Sequence, residues 1–383
     1  MSRIPVFFIL LGLLTAYTGL HAQHLWPAHP FWGWIGISFF VGLMMIWQRV
    51  HRADQSDPES LRYKILAWSG TIAMGLWATF LFFCFAIDLG SLVLLAAQTI
   101  RPFPFDGHAL HLPALLILTC AIFAVLGLVQ AVRGPRVIQV KIPIPNLPPA
   151  LEGFRIALLS DLHIGPTIGA PYVSDVVNRT LALKPDLIAV TGDLADENVE
   201  KIAAQTVPLT RLKAPHGIYY VTGNHEYYWG AEEWLAKVSS LGWTALNNDN
   251  RTLQVKDSNV FIAGITDEQG EILSPEHVPD MTRAARGSEK SPFRILLSHR
   301  PGVYAEAEKA GFQLQLSGHT HGGQFFPWSL VIPFVHRFYK DLNRFRQLWV
   351  YVSSGTGYWG PPHRFLVPSE ITLLELSGGT WRG

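Results

Sequence analysis

"FRIALLSDLHIG", residues 154–165, holds the pattern that organises the second half of the chain. An apolar, strand-like run from Phe154 to Leu159 ends in a polar cluster, Asp161 and His163, just before a glycine. The arrangement returns four more times: "DLIAV" runs into "TGDL", "GIYYV" into "TGNHEYY", "FRILL" into "SHRPG" and "FQLQL" into "SGHTHGGQ". Between these runs, "APYVSDVVNRTLAL", "ENVEKIAAQTVPLTRL", "AEEWLAKVSSL" and "PGVYAEAEKAG" carry apolar residues at helical spacing and predict surface helices. Strands alternating with helices predict an α/β domain. In such sheets ligand sites gather beyond the carboxyl ends of the strands, and Gly192, Gly223, Gly318, Gly322 and Gly323 allow sharp turns there.

Toward the N-terminus the texture changes near residue 134. Val137 to Ile144 alternates like a strand, and prolines 143, 145, 148 and 149 bar it from continuing as helix. Upstream the apolar residues concentrate, which accounts for a charged fraction of only 15% and a mean hydropathy of +0.21. Four stretches approach the roughly 20 residues that a membrane-spanning helix needs: Ile4 to Leu20, Phe31 to Trp47, Ile65 to Ala86 with an extension toward Ile100, and Leu110 to Val132. Asp88 and Gly90 interrupt the third. The expected organisation is a transmembrane region (1–133), a linker with the first strand (134–153) and a soluble domain (154–383). The first span is read as an uncleaved anchor because further spans follow at once.

Loop charge sets the expected orientation. Arg49, Arg52, Arg62 and Lys64 lie between the second and third spans, and Arg133, Arg136 and Lys141 follow the fourth. The first loop has no Lys or Arg and the third only Arg101. Both ends are therefore expected in the cytoplasm, in a multi-pass protein of the cell (inner) membrane. His21, His24, His29, His108 and His111 on the opposite side read as headgroup-interface residues. A net charge of +1 and no basic stripe argue against nucleic acid as a partner. Cys84 and Cys120 both lie in apolar runs and read as small hydrophobes.

The strand ends collect Asp161, His163, Asp193, Asn224, His225, Glu226, His299, His319 and His321. Singly, each has an ordinary explanation as a cap or turn former. Recurrence of nitrogen and oxygen donors at five strand ends marks a metal or catalytic site. Two divalent cations about 3.5–4 Å apart can clamp a phosphoryl group and lower the pKa of a water between them. Holding like charges so close needs a bridging anion, which Asp193 can supply. Imidazole and carboxylate without thiolate suit Mn, Fe, Zn or Co.

In this order "DLH", "GD", "GNHE", "SH" and "GHTH" resemble the motifs of the calcineurin-like metallophosphoesterases, over roughly residues 150–376. The likeness extends to a bacterial membrane-associated branch in "GHTHGGQ" and "YVSSGTGYWGPPHRF" (351–365). The resemblance implies a four-layer α-β-β-α sandwich after the four-helix transmembrane region, and a site for two divalent metal ions, with manganese favoured. By motif, Asp161, His163 and His321 resemble the ligands of one metal, and Asn224, His299 and His319 those of the other, with Asp193 bridging. His225 would donate a proton to the leaving oxygen or stabilise charge developing there. Glu226 either orients that imidazole or caps the helix after it.

The motifs set the reaction, phosphoester hydrolysis, and leave the substrate open. "GGQFFPWSLVIPFVHRFYKDLNRF" (322–345) places Phe325, Phe326, Trp328, Phe334, Phe338 and Tyr339 beside Arg337, Lys340 and Arg344, with Arg346 following. Such a mixture suits a headgroup interface, or an ordinary loop packing its aromatics on the domain. The expected partners are membrane lipids and a phosphorylated small-molecule or lipid substrate. Arg364 is a candidate phosphate contact, with a solvated residue or a local ion pair as the ordinary alternative. The competing classes are a non-catalytic membrane sensor or scaffold, a phosphodiesterase of soluble substrates, and a transporter, for which the spans offer only Asp88.

Overall fold

The computed structural model describes residues 4–25, 28–51, 60–100, 113–273, 275–326 and 328–379. Arg52, Arg101, His108 and His111 lie outside the described residues. The chain divides into two compact units, Met1–Val129 with Gly360–Phe365, and Gln130–Trp359 with Leu366–Gly383.

The first unit is built on α1 (Ile4–Ala22), α2 (Phe31–His51), α3 (Leu61–Ile100) and α4 (Pro113–Val132). Among the described residues three segments, rather than the expected four, are long and apolar enough to cross a membrane: Phe31–His51, Leu61–Ile100 and Leu115–Val132. The interruption expected at Asp88 and Gly90 is absent, and α3 runs through both for 40 residues. At 1.5 Å per residue this is about 60 Å, roughly twice the hydrocarbon thickness. Helix α1 explains how the carboxylate is tolerated. The Tyr17 hydroxyl donates to Asp88 Oδ2 at 2.6 Å, and His21 Nε2 lies 3.1 Å from the same oxygen. Cys84 and Cys120 are buried free thiols.

The second unit contains two mixed six-stranded sheets, ordered β1-β12-β2-β3-β4-β5 and β10-β11-β9-β8-β7-β6. Their strands are β1 (Arg136–Ile144), β2 (Arg155–Leu159), β3 (Leu187–Thr191), β4 (Ile218–Val221), β5 (Thr244–Ala245), β6 (Asp249–Val255), β7 (Ser258–Gly264), β8 (Phe293–Leu297), β9 (Leu314–Ser317), β10 (Asp341–Phe345), β11 (Leu348–Val352) and β12 (Glu370–Gly378). The helices are α5 (Ala170–Ala182), α6 (Ala203–Thr206), α7 (Asn224–Tyr228), α8 (Ala231–Ser240), α9 (Met281–Ala284), α10 (Tyr304–Lys309) and α11 (Trp328–Val335).

The long helix expected from "ENVEKIAAQTVPLTRL" is shorter than its pattern suggests. Only α6 forms, followed by a 3-10 turn, Val207–Arg211, in which Pro208 cannot donate to the α-helical ladder.

Alternation along the strands buries both faces of each sheet. Ile156, Leu158, Leu187 and Ala189 of one sheet meet Val260, Ile262, Ile295 and Leu314 of the other in a shared core. Ala157, Leu159, Ile188 and Val190 face the opposite way and pack on Val173 and Val177 of α5 and Trp234 of α8. Phe261, Ala263 and Leu296 do the same against Ala284 of α9 and Ala307 of α10. Within one sheet β2, β3 and β4 are parallel, and within the other so are β8 and β9. Each set therefore ends on one edge of its sheet.

Candidate metal centre

Asp161, Asp193, His299 and His319 each stand two residues beyond the last residue of β2, β3, β8 and β9, and Asn224 three beyond β4. The backbone leaves these strands abruptly. Asp161 (φ 51°), His163 (51°), Asp193 (50°), His319 (69°) and His321 (51°) all adopt left-handed conformations. Such geometry costs a non-glycine residue of order 1 kcal/mol and persists where the surroundings over-determine it, often at functional sites. A close approach adds a further constraint: a Cβ on Gly192 would lie 2.5 Å from the Gly223 nitrogen, and one on Gly223 would run into the Asp193 carboxylate. Glycine at both positions lets the turns after β3 and β4 touch.

The turns bring every expected ligand into one cluster, all buried except the half-buried His319. His163 Nε2 and His321 Nε2 lie 3.0 Å apart, and Asp161 Oδ1 is 3.4 Å from the latter. On the other side His299 Nε2 is 3.2 Å from both His319 Nδ1 and Asn224 Oδ1. A cation about 2.0–2.1 Å from each of two imidazole nitrogens sets those nitrogens roughly 3 Å apart. Asp193 Oδ2 faces both groups, at 3.8 Å from His163 Nε2 and 3.3 Å from His299 Nε2. Its Oδ1 accepts the backbone N–H of His225 at 2.9 Å, which leaves Oδ2 to be shared. Potential metal-holding groups are thus Asp161/His163/His321 and Asp193/His299/His319, and His163/Asp193/His225 forms a third set of comparable spread.

Hydrogen bonds fix which nitrogen of each ring faces inward. His299 Nδ1–H donates to the Thr191 carbonyl at 2.8 Å, freeing Nε2 for a cation. His163 Nδ1–H donates to Asp196 Oδ1 at 2.7 Å with the same result. His225 Nδ1 lies 2.6 Å from that same Asp196 oxygen, and its Nε2 is 3.9 Å from Asp193 Oδ2. One carboxylate therefore supports a metal-facing imidazole and the neighbouring His225.

Electrostatics follow this geometry. Burial works against a charged His225, but Asp193 and Asp196 outweigh it and hold the imidazolium up to about 9. Burial likewise works against an ionised Asp196, yet His163 and His225 keep its carboxyl well below the usual carboxylate range. His299 is carried up to about 10 against burial, chiefly by Asp193. His319 is driven down to about 2 by burial and then by the charges of His299 and Arg300. A chain without cations thus retains protons in the places where positive charge is favoured.

Asp196 was not among the sequence candidates; its signal is the acid three residues beyond Asp193 in "GDLAD". Glu226 caps α7 by accepting the Gly223 N–H at 2.6 Å, and it also accepts the N–H groups of Asp193 at 3.0 Å and Leu194 at 2.7 Å. It holds backbone, and among the described residues no hydrogen bond joins it to the His225 ring. Two aromatic rings flank His225: Tyr228 at 5.2 Å and Trp359 at 6.2 Å between centroids. Gln324 and Trp359 exchange two hydrogen bonds, at 2.7 and 2.8 Å, giving the glutamine of "GGQ" a role. Arg364 is fully buried, which excludes the solvated reading, and it groups with the helical unit, where its backbone N–H donates to the Gly127 carbonyl at 3.0 Å.

Comparison with known proteins agrees with this geometry. The model of the calcineurin-like phosphoesterase family matches residues 154–323. A zebrafish (Danio rerio) transmembrane protein with metallophosphoesterase domain is 35% identical over 332 residues, covering 84% of this chain and 75% of that protein. An uncharacterised metallophosphoesterase of Helicobacter pylori is 36% identical over 255 residues, covering 65% of this chain and 66% of that protein. One from Aquifex aeolicus is 31% identical over 246 residues, covering 63% and 92% respectively.

Proposed function

We propose a function from one premise: the chain belongs to the calcineurin-like metallophosphoesterase family. On this reading it is a membrane-anchored, metal-dependent phosphoric ester hydrolase, with four membrane crossings, a four-layer catalytic domain and that domain in the cytoplasm. The observation that carries the reading is the pair of nitrogen contacts, 3.0 Å and 3.2 Å, on either side of Asp193 Oδ2. Asp161, His163 and His321 would hold one divalent cation, and Asn224, His299 and His319 the other, with manganese favoured. When bound, the pair supplies Lewis acidity toward a phosphoryl oxygen and activation of the attacking water.

The protein's own groups do the rest. His225, whose proton Asp193 and Asp196 favour in the chain without cations, would present it at Nε2 to the leaving oxygen. Asp196 stands beside the ring as an ion-pair partner, 2.6 Å from Nδ1. Tyr228 and Trp359, 55% and 47% exposed, offer apolar walls beside that imidazole to the leaving group. Those walls and the membrane anchor favour a phosphate ester or pyrophosphate carried on a lipid or lipid-linked group.

Purified full chain in detergent, given manganese, is expected to hydrolyse an aryl phosphate mono- or diester. Chelation, or Asp193→Asn, is expected to abolish turnover; undiminished activity in either case would overturn the assignment. A preference for lipid over water-soluble phosphoesters supports the substrate class, and indifference to the acyl portion counts against it.

A further inference from the structure

The stretch after the metal-bearing turn forms α11, and it is the most apolar exposed element of the second unit. Trp328 is 42% exposed, Leu330 56%, Val331 41%, Phe334 90% and Val335 57%. Among the described residues of that unit, no other eight-residue stretch exposes five large hydrophobic side chains. Contiguous apolar surface of this kind marks an interaction site, whereas single exposed hydrophobics are ordinary. Only Ile332 of the large side chains in α11 is buried, at 2% exposure.

Helix α11 is also bound tightly to the metal turn. The Ser329 Cα lies 2.5 Å from where a Cβ on Gly323 would stand, and Ile332 Cγ2 lies 2.9 Å from it, so helix backbone packs directly on the glycine. The His336 N–H extends the helix to the Ile332 carbonyl at 3.0 Å, and the His336 ring is 6.2 Å from that of His319. Basic residues follow the apolar ones. Arg337 is exposed, its guanidinium over the rings of Tyr304, Phe338 and Phe345, with no carboxylate partner among the described residues. Lys340 follows, 3.9 Å from Asp341 and with its side chain 45% exposed.

We propose that α11 lies in the surface of the lipid bilayer, with Leu330, Val331, Phe334 and Val335 among the acyl chains and Arg337 at the anionic headgroups. The inference rests on the membrane-anchored reading above and deepens it by assigning the element through which the metal centre meets membrane-borne substrate. Apolar residues followed at once by cations suit the order in which a bilayer presents acyl chains and phosphates. The occupant is argued from the chain itself. Among its described residues three segments are long and apolar enough to cross a bilayer, and only residues 133–135 separate α4 from β1.

The test uses the full chain in vesicles of phosphatidylcholine and phosphatidylglycerol, with Phe334→Cys carrying an environment-sensitive fluorophore. Val207→Cys, at a position 58% exposed on the same unit, is the control, and protein without an added cysteine reports any labelling of buried Cys84 and Cys120. Nitroxide-bearing acyl chains are expected to quench the label at 334 and spare that at 207, with aqueous iodide doing the reverse. Equal iodide quenching at both positions would overturn the proposal. So would energy transfer between labelled copies at 334 without lipid quenching, which would assign the face to a second copy of the chain. In the same vesicles, Leu330→Glu with Phe334→Glu is expected to raise KM for a vesicle-borne phosphoester about ten-fold, leaving a water-soluble aryl ester unaffected. Equal loss on both substrates would refute the assigned role in substrate access. If the unaltered, manganese-loaded chain hydrolyses neither ester, the phosphoesterase reading fails, while lipid quenching still decides where α11 lies.

Discussion

The two halves of the metal centre use the same side chain held by different groups. His299 is oriented by a backbone carbonyl, that of Thr191 at the end of β3, whereas His163 is oriented by a carboxylate, Asp196, which also reaches His225. A carbonyl in a sheet is fixed by the fold and has no charge to exchange. A carboxylate answers to the protonation of both imidazoles that it touches. The first half is therefore the more rigid one, and on the proposed function the second would join metal binding to proton donation.

The largest effects are expected where the halves are alike. His163→Ala and His299→Ala should each reduce bound metal from about two ions per chain to about one and abolish turnover, as measured by metal analysis beside activity. If one variant keeps both ions and full activity, the symmetric ligand assignment fails. His225→Asn tests the other function of the Asp196 side. Turnover should fall by about 100- to 10,000-fold while both metals stay bound; loss of metal would make His225 a ligand.

Asp196→Asn separates the halves most directly. Supporting partners of this kind typically contribute about 10- to 100-fold in metal affinity or activity, and the loss should fall on the His163 side, leaving the His299 ion in place. The change also removes a charge that favours protonated His225. A general acid works below its pKa, so the alkaline limb of kcat should move to lower pH. An unmoved limb would mean that the Asp196–His225 contact does not govern the proton.

The smallest expected effect is on stability. In chelator, His225 and His299 have folded-state values raised from 6.5 to about 9 and about 10. Stabilisation from raised pKa values is fully present below about 6.5 and is lost as pH climbs through the folded values. Thermal midpoints of the chelated protein should therefore fall between about pH 6.5 and 10, and those of the manganese-loaded protein should fall less. Parallel curves would argue that the cations do not replace these protons.

Much of the centre was legible because each ligand lies within a few residues of the strand end that positions it. The motif after β9, for example, contains the turn and both histidines, one presented through Nδ1 and the other through Nε2. Asp196 was harder to recognise, since its role appears only when His163 and His225 arrive from different strands. Asp88 misled for a similar reason: its partners Tyr17 and His21 are 71 and 67 residues away, on another helix. The segment 322–345 presented aromatics and cations, but only its folding into α11 and β10 separated exposed Phe334 from buried Ile332 and Phe338.

By itself the sequence determined the apolar N-terminal third, the strand-and-turn rhythm of the rest, and the candidate donor side chains at the strand ends, because hydrophobic periodicity and turn chemistry act over a few residues. Tertiary structure alone decided which nitrogen of His163 and of His299 is left free by its orienting hydrogen bond, which carboxylate lies against two rings, and which face of α11 is left in contact with the surroundings. Those properties depend on distances between atoms far apart in the chain, and only the packing of the two sheets brings such atoms within hydrogen-bonding reach.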